Sequence, residues 1–130
     1  MAQDAVSEFL EAIESAQVVT CKAFADTVEL DATVPNWRFS VRGSEHVRAE
    51  LARWYADPGH FEDVRRSPLP TGELVEFTLC WLEQGVPHAC HQVHVLDCAD
   101  GKIASDRAWC GGRWPASLLA EMAAAARAGN

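Results

Sequence analysis

The chain has no apolar run near the ~18 residues that cross a bilayer. It also has no basic cluster at its start, where Asp4, Glu8, Glu11 and Glu14 interrupt every apolar stretch between Met1 and Gln17. Neither a membrane span nor a secretory leader is expected, and a cytoplasmic location follows. Basic residues are few: 11 Lys and Arg stand against 19 Asp and Glu, for a formal net charge of -8. Phosphate backbones are bound by clusters of Lys and Arg, so a nucleic-acid partner is not expected. No CxxC pair occurs. The five cysteines (Cys21, Cys80, Cys90, Cys98 and Cys110) are odd in number and widely spread. They read as small core residues rather than a disulfide framework or a zinc cluster. There is no glycine-rich phosphate loop, Walker pattern or Ser–His–Asp order, which leaves out the phosphoryl-transfer and serine-hydrolase classes those patterns mark.

What is present is an ordinary globular composition over 130 residues, 48% hydrophobic and 23% charged. Such a chain forms one domain, residues 1–130, and buries roughly two-thirds of its unfolded surface. Residues 4–16 carry Val6, Phe9, Leu10 and Ile13 at helical spacing, and a second helical stretch is expected over 18–25. From Thr27 the pattern alternates as in a strand, is broken at Pro35-Asn36, and resumes over 37–42. A helix opens at Ser44, the expected N-cap, with Val47, Leu51 and Trp54 as its buried stripe. Strands are expected over 61–67, 73–83, 87–98 and 102–110. A last helix over 116–127 should face Leu118, Leu119 and Met122 inward.

The informative region is 72–110. Gln84-Gly85 reads as a two-residue hairpin turn, pairing Glu83 with Val86 and Trp81 with His88. Continued, that register places Val75, Phe77, Leu79, Trp81, His88, Cys90, Gln92 and His94 on one face. Ala99-Asp100-Gly101, read as a three-residue loop, pairs Cys98 with Lys102 and sets His94 opposite Asp106. A two-residue Asp100-Gly101 turn shifts the register and sends the two to different faces. With the longer loop, Ala104, Asp106, Ala108 and Cys110 join the first face. Large apolar groups then surround a few polar ones, which is the composition of a ligand pocket. The other face carries Val93, Val95, Ile103 and Trp109, apolar enough to be covered by a second copy of the chain.

On the element order, on "FADTVELDATVPNWRFSVRG" leading into a helix, and on "HQVHVLDCADGKIASDRAWCGG" near the end, the chain resembles the nuclear transport factor 2-like superfamily. The branch it resembles contains SnoaL-like polyketide cyclases and ketosteroid isomerases, and the resemblance covers nearly the whole sequence. It implies an α+β fold: a cone-shaped, curved antiparallel sheet wrapped around N-terminal helices and enclosing a pocket. In SnoaL-like cyclases an aspartate on the last strand is the general base, and glutamine and histidine line the pocket from the strand before. Asp106, Gln92 and His94 match that set. Ketosteroid isomerases use a tyrosine on the first helix and an aspartate near the first strand. Here the single tyrosine, Tyr55, lies on another helix, and strand alternation turns Asp31 away from the Leu30 side, so that reading is weakened.

The expected function is that of a small-molecule pocket protein of the cyclase, isomerase, dehydratase or hydrolase type. It would act without cofactor on a partly hydrophobic carbonyl compound; the alternative is a non-catalytic ligand-binding or dimerisation module. Asp106 and His94 are the candidate catalytic pair, because a carboxylate and an imidazole in contact can exchange a proton beside a carbonyl. Gln92 is a candidate donor to the developing oxyanion, and His88 is the other polar lining residue. The lining is Val75, Phe77, Leu79, Trp81, Cys90, Ala104, Ala108 and Cys110. His88, Cys90 and His94 share a face, but a single extended strand cannot wrap them around one ion, so no metal site is expected. A small-molecule ligand and a homodimer partner are expected.

Overall fold

The computed structural model describes residues 4–129; the ends of the expected 1–130 domain lie outside the described residues. Helix α1 (Ala5–Ser15) is capped by Asp4, whose carboxylate accepts from the Ser7 amide at 2.8 Å, and it ends at Ala16 in the left-handed region. Its stripe of Val6, Phe9, Leu10 and Ile13 is buried. The expected second helix is only a 3₁₀ turn, Val18–Thr20. Three consecutive β-branched residues lose side-chain freedom in a helix, and strand β1 (Phe24–Val34) takes over the rest.

β1 pairs with β2 (Trp37–Arg42) across the Pro35-Asn36 turn, with Val34 opposite Trp37 and Asn36 at a φ of 63°. Gly43, not Ser44, takes the N-cap position of helix α2 (Ser44–Trp54). Its φ of 89° is why: the chain leaves β2 through a conformation that suits glycine and strains serine. Val47 and Leu51 are fully buried, while Trp54 is half-buried.

Four long strands follow: β3 (Gly59–Leu69), β4 (Gly72–Glu83), β5 (Val86–Ala99) and β6 (Lys102–Cys110). The β4–β5 register is the expected one throughout, from Glu83 opposite Val86 to Val75 opposite His94. The β5–β6 register differs. The turn is the two-residue one, with Asp100 at φ 53° and Gly101 at φ 76°, and Ala99 faces Lys102. One residue later a β-bulge intervenes: Cys98 pairs with Ile103 and Asp97 with Ser105, leaving Ala104 without a partner. The bulge changes the phase of β6, so both Ile103 and Asp106 point inward and both are fully buried. His94 therefore faces Ala108, and Asp106 faces Leu96 one step along. Two expectations are corrected here: the three-residue loop, and the outward placement of Ile103.

The strand order is β2-β1-β6-β5-β4-β3. All these pairings are antiparallel except β1–β6, which is parallel, so the sheet is mixed rather than wholly antiparallel. This pairing joins the β1–β2 hairpin to the meander. The short β7 (Trp114–Pro115) adds to β5 at His88 and Ala89. α1 and α2 cover the inner face, and the core is built around Phe9, Ile13, Leu30, Leu51, Phe77 and Leu96. Helix α3 (Ala116–Arg127) spans the expected residues but buries none of them. Leu118 and Leu119 are half-exposed, and Met122 is 39% exposed. The helix packs mainly on β5 and β7, and none of its residues is buried, so the expected inward stripe does not enter the core. Among the described residues no helix is long and apolar enough to cross a membrane.

Candidate active site

Four polar side chains meet inside the sheet's concave face. His94 Nδ1 lies 2.9 Å from both Asp106 oxygens, so Nδ1–H donates to the carboxylate. The other ring nitrogen, Nε2, lies 3.0 Å from Gln92 Oε1 and 3.2 Å from the Tyr55 hydroxyl. That hydroxyl donates to Gln92 Oε1. The Gln92 amide nitrogen donates in turn to Cys110 Sγ at 3.4 Å. The four groups form one continuous chain from the Asp106 carboxylate to a cysteine sulfur. Among the described residues no buried side-chain nitrogen or oxygen lacks a partner, which is what a buried polar network requires to be stable.

The two ends of this chain differ in access. His94 and Asp106 are 0% exposed. Phe77 stacks on the imidazole at 5.6 Å between centroids, and Phe9 meets it edge-on at the same distance. Burial, with Asp106 close by, pushes the Tyr55 hydroxyl well above its ordinary range, so it stays a donor. At the other end an open cleft of about 420 Å³ is lined by Gln92, Cys90, Cys110, Trp81, Trp54 and Arg113, among others. Gln92 thus stands between the buried pair and the cleft.

Cys90 and Cys110 behave as a pair. Cys90 is held well up from its ordinary value by the neighbouring Cys110 and by burial. Cys110 is lowered to about 6, first by the neighbouring Cys90, then by the Gly112 amide and Gln92, against an opposing effect of burial. The Gly112 N–H lies 3.4 Å from Cys110 Sγ.

The expected site residues therefore fall into three groups. Gln92, Trp81, Cys90 and Cys110 line the cleft. Val75, Phe77, Leu79 and Ala108 are core residues on the same face as the buried pair. Ala104 sits half-buried on the bulge, away from both. His88 stacks on Trp81 at 5.7 Å and lines a neighbouring groove of about 600 Å³ with Pro58, Leu82 and Leu119. Tyr55 was not expected in the site. Its signal was the spacing Val47, Leu51, Tyr55, which extends the buried stripe of α2 by one further turn.

The histidines of β5 do not gather around a common point: His91 bonds Thr78 and Glu76 on the outer face, and His88 Nδ1 meets the Val86 carbonyl. His60, Glu62 and Cys80, on the outer face of β3 and β4, each bring one ligand atom within 4.8 Å of the others; His60 and Glu62 are exposed.

No protein-family model matches the chain, and no curated protein matches its sequence. Its architecture does match solved structures. A nuclear transport factor 2-like protein from Anabaena variabilis superposes with a TM-score of 0.69 at 14% identity, over 83% of this chain and 84% of that one. The chain has the nuclear transport factor 2-like fold. Within that fold, a protein with a ketosteroid isomerase-like fold from Catenulispora acidiphila, in complex with trimethylamine, matches at a TM-score of 0.62. Its identity is 18%, over 92% of both chains. An LEH-like epoxide hydrolase from M. tuberculosis also gives 0.62, at 20% identity over 82% of this chain and 79% of that one.

Proposed function

We propose that the protein binds a small, partly hydrophobic carbonyl compound in the cleft and carries out cofactor-free proton transfer on it. The reaction would be of the cyclase, isomerase, dehydratase or hydrolase type, in the SnoaL-like manner. The observation that carries this reading is the unbroken chain Asp106–His94–Gln92, with Tyr55 beside it, running from the core to the cleft wall. Asp106 fixes the imidazole with Nδ1 as donor, and Nε2 faces Gln92 Oε1, an acceptor, so it is free to take a proton only when Gln92 moves off it. His94 is the proton acceptor, and the Tyr55 hydroxyl and Gln92 amide supply donors to a carbonyl oxygen as charge develops on it. Gln92 has to swing aside for substrate to reach Nε2. An LEH-like epoxide hydrolase on the same fold agrees with the hydrolase form of such chemistry. The cytoplasm, where five unpaired cysteines stay reduced, is the proposed location.

A second reading, ligand binding without conversion, draws on a different observation: neither His94 nor Asp106 has any solvent exposure. The deciding experiment is a screen of small ketones and enones, following both binding by NMR and product formation. The enzyme reading expects turnover in the parent protein that Asp106→Asn and His94→Gln abolish while binding survives. Bound ligands that are never converted, with affinity indifferent to Asp106→Asn, would establish the binding module instead.

A second copy of the chain is the proposed partner, docked on the outer sheet face. There Trp109 is 43% exposed, and Val93 and Val95 are half-buried beside it.

A further inference from the structure

The Cys90–Cys110 pair lies outside the proton-transfer chemistry just described, and its arrangement suits a different reaction. Both thiols face the same cleft from adjacent strands, Cys110 opposite Gln92 and Cys90 two residues before Gln92. Cys110 Sγ receives the Gln92 amide N–H and the Gly112 backbone N–H, each at 3.4 Å. Gln92 cannot readily turn its carbonyl oxygen to the sulfur, because Oε1 is engaged by Tyr55 and faces His94 Nε2. With Gln92 in this position the amide turns its donor to the thiol. The sulfur also reaches the Gly112 carbonyl oxygen, but at 3.9 Å, farther than the two N–H donors, and the closer donors favour the anion over the neutral thiol.

We propose that Cys110 is a nucleophile that adds to small α,β-unsaturated carbonyl compounds bound in this cleft. The Cys110 sulfur forms a bond to the β-carbon, and the π pair of the double bond moves through the α-carbon to the carbonyl oxygen as an enolate. The α-carbon then takes a proton from a water in the open cleft, leaving hydroxide to the solvent. The cleft suits such a ligand in shape, at about 420 Å³ with Trp81 and Trp54 in its wall. Flat conjugated carbonyls pack on such aromatic faces. Soft carbon electrophiles are the natural partners of a thiolate rather than of the buried imidazole.

The groups around the sulfur agree. Cys90 lies in the same cleft wall, and Cys110 is lowered to about 6. Across the cleft are Arg53, Arg113 and Glu50. Glu50 is engaged by the Trp54 indole N–H and by Arg53 at 3.5 Å, and Arg113 by Glu83. No unpartnered carboxylate among the described lining residues opposes a thiolate.

The test uses the unmodified protein with N-ethylmaleimide at limiting concentration between pH 5 and 9, each cysteine being followed by peptide mass spectrometry. Cys110 is expected to label first, ahead of the equally half-buried Cys80 and Cys98. Its rate should hold nearly level down to pH 7 and fall only around its own value of about 6. An ordinary thiol with a pKa of about 8.5 loses about tenfold per pH unit over that range. First labelling at another cysteine, or a tenfold-per-unit fall for Cys110 from pH 8 to 6, would overturn the proposal. The ligand class is tested with 2-cyclohexenone. Adduct formation should be confined to Cys110 and should saturate with 2-cyclohexenone concentration, as reaction from a bound state does; labelling that rises linearly with concentration, as with glutathione, would refute enone binding in the cleft. Cys110→Ser should abolish the adduct, whereas Asp106→Asn, which removes proton-transfer turnover, should leave the adduct at Cys110 in place, so this inference and the acid–base reading fail separately.

Discussion

His94 donates to both oxygens of Asp106 at 2.9 Å, and neither side chain has any contact with solvent. The two come from adjacent strands that do not place them directly opposite one another; the diagonal is bridged by the length of the imidazole. A fully buried carboxylate is tolerated only while it is bonded. Removing its partner, or turning it into an amide, leaves a desolvated group without its match.

Asp106→Asn should therefore destabilise the protein by about 3 kcal/mol. Denaturant unfolding at pH 7, compared at equal slope, measures this. A loss below about 1 kcal/mol would mean that the pair is bonded no better than a surface ion pair.

Gly72 and Gly101 should respond in opposite ways to substitution. A Cβ at Gly72 would lie 1.7 Å from the Leu96 carbonyl oxygen, so β4 and β5 would have to part. Gly72→Ala is expected to cost about 2 kcal/mol or more. Gly101 has open space around it and a φ of +76°, so Gly101→Asn should cost little, since asparagine tolerates the left-handed region. Thermal melts of the two variants make the comparison, and equal losses would contradict it.

The pH dependence of stability should carry the mark of Cys110. Its value falls from 9.0 to about 6 on folding, so ionisation is easier in the folded protein. The stabilisation it supplies is complete above pH 9.0 and is lost as pH falls through about 6. Relative to Cys110→Ser, the parent protein should thus gain stability between pH 6 and pH 8. Parallel unfolding curves over that range would remove the thiolate assignment.

Trp109→Arg should leave the fold intact and convert a homodimer to a monomer, because it places a charge at the centre of the outer face. Multi-angle light scattering at micromolar concentration decides the matter. A parent protein already monomeric there would show that this face has another role.

How much of this was legible depended on local turn chemistry. Gln84-Gly85 is a two-residue turn with both residues at positive φ, and from it the whole β4–β5 ladder followed correctly. Asp100-Gly101 has the same character, but the parity of β6 is set beyond the turn, by Ala104. An alanine carries no mark of a bulge, so a wrong loop length and a missing bulge offset each other, and Asp106 was still brought to His94. Ile103, on the near side of the bulge, was misplaced for the same reason. The parallel β1–β6 contact joins segments about eighty residues apart, and no turn encodes it. Tyr55 was hidden because Trp54 beside it is larger and more apolar. The donors around Cys110 leave no mark in the sequence, because they are an amide from the neighbouring strand and a backbone N–H rather than a charged side chain.

The unpaired residue in β6 does more than set which side chains look inward. Beside it, the parallel pairing to β1 slips between Phe24 and Glu29, so the irregularities of the two strands stand next to one another. Together they form a crease across neighbouring strands, along which the sheet can bend more sharply than regular pleating allows. On one side of the crease Phe24 and Ile103 close down on Phe9 and α1; on the other, Leu30, Asp106 and Ala108 form a wall behind the polar chain. The sheet thereby divides its labour along a line one residue wide. One flank is a floor for packing and the other is scaffolding for chemistry, so substitutions that tune the cleft need not disturb the flank that holds the domain together.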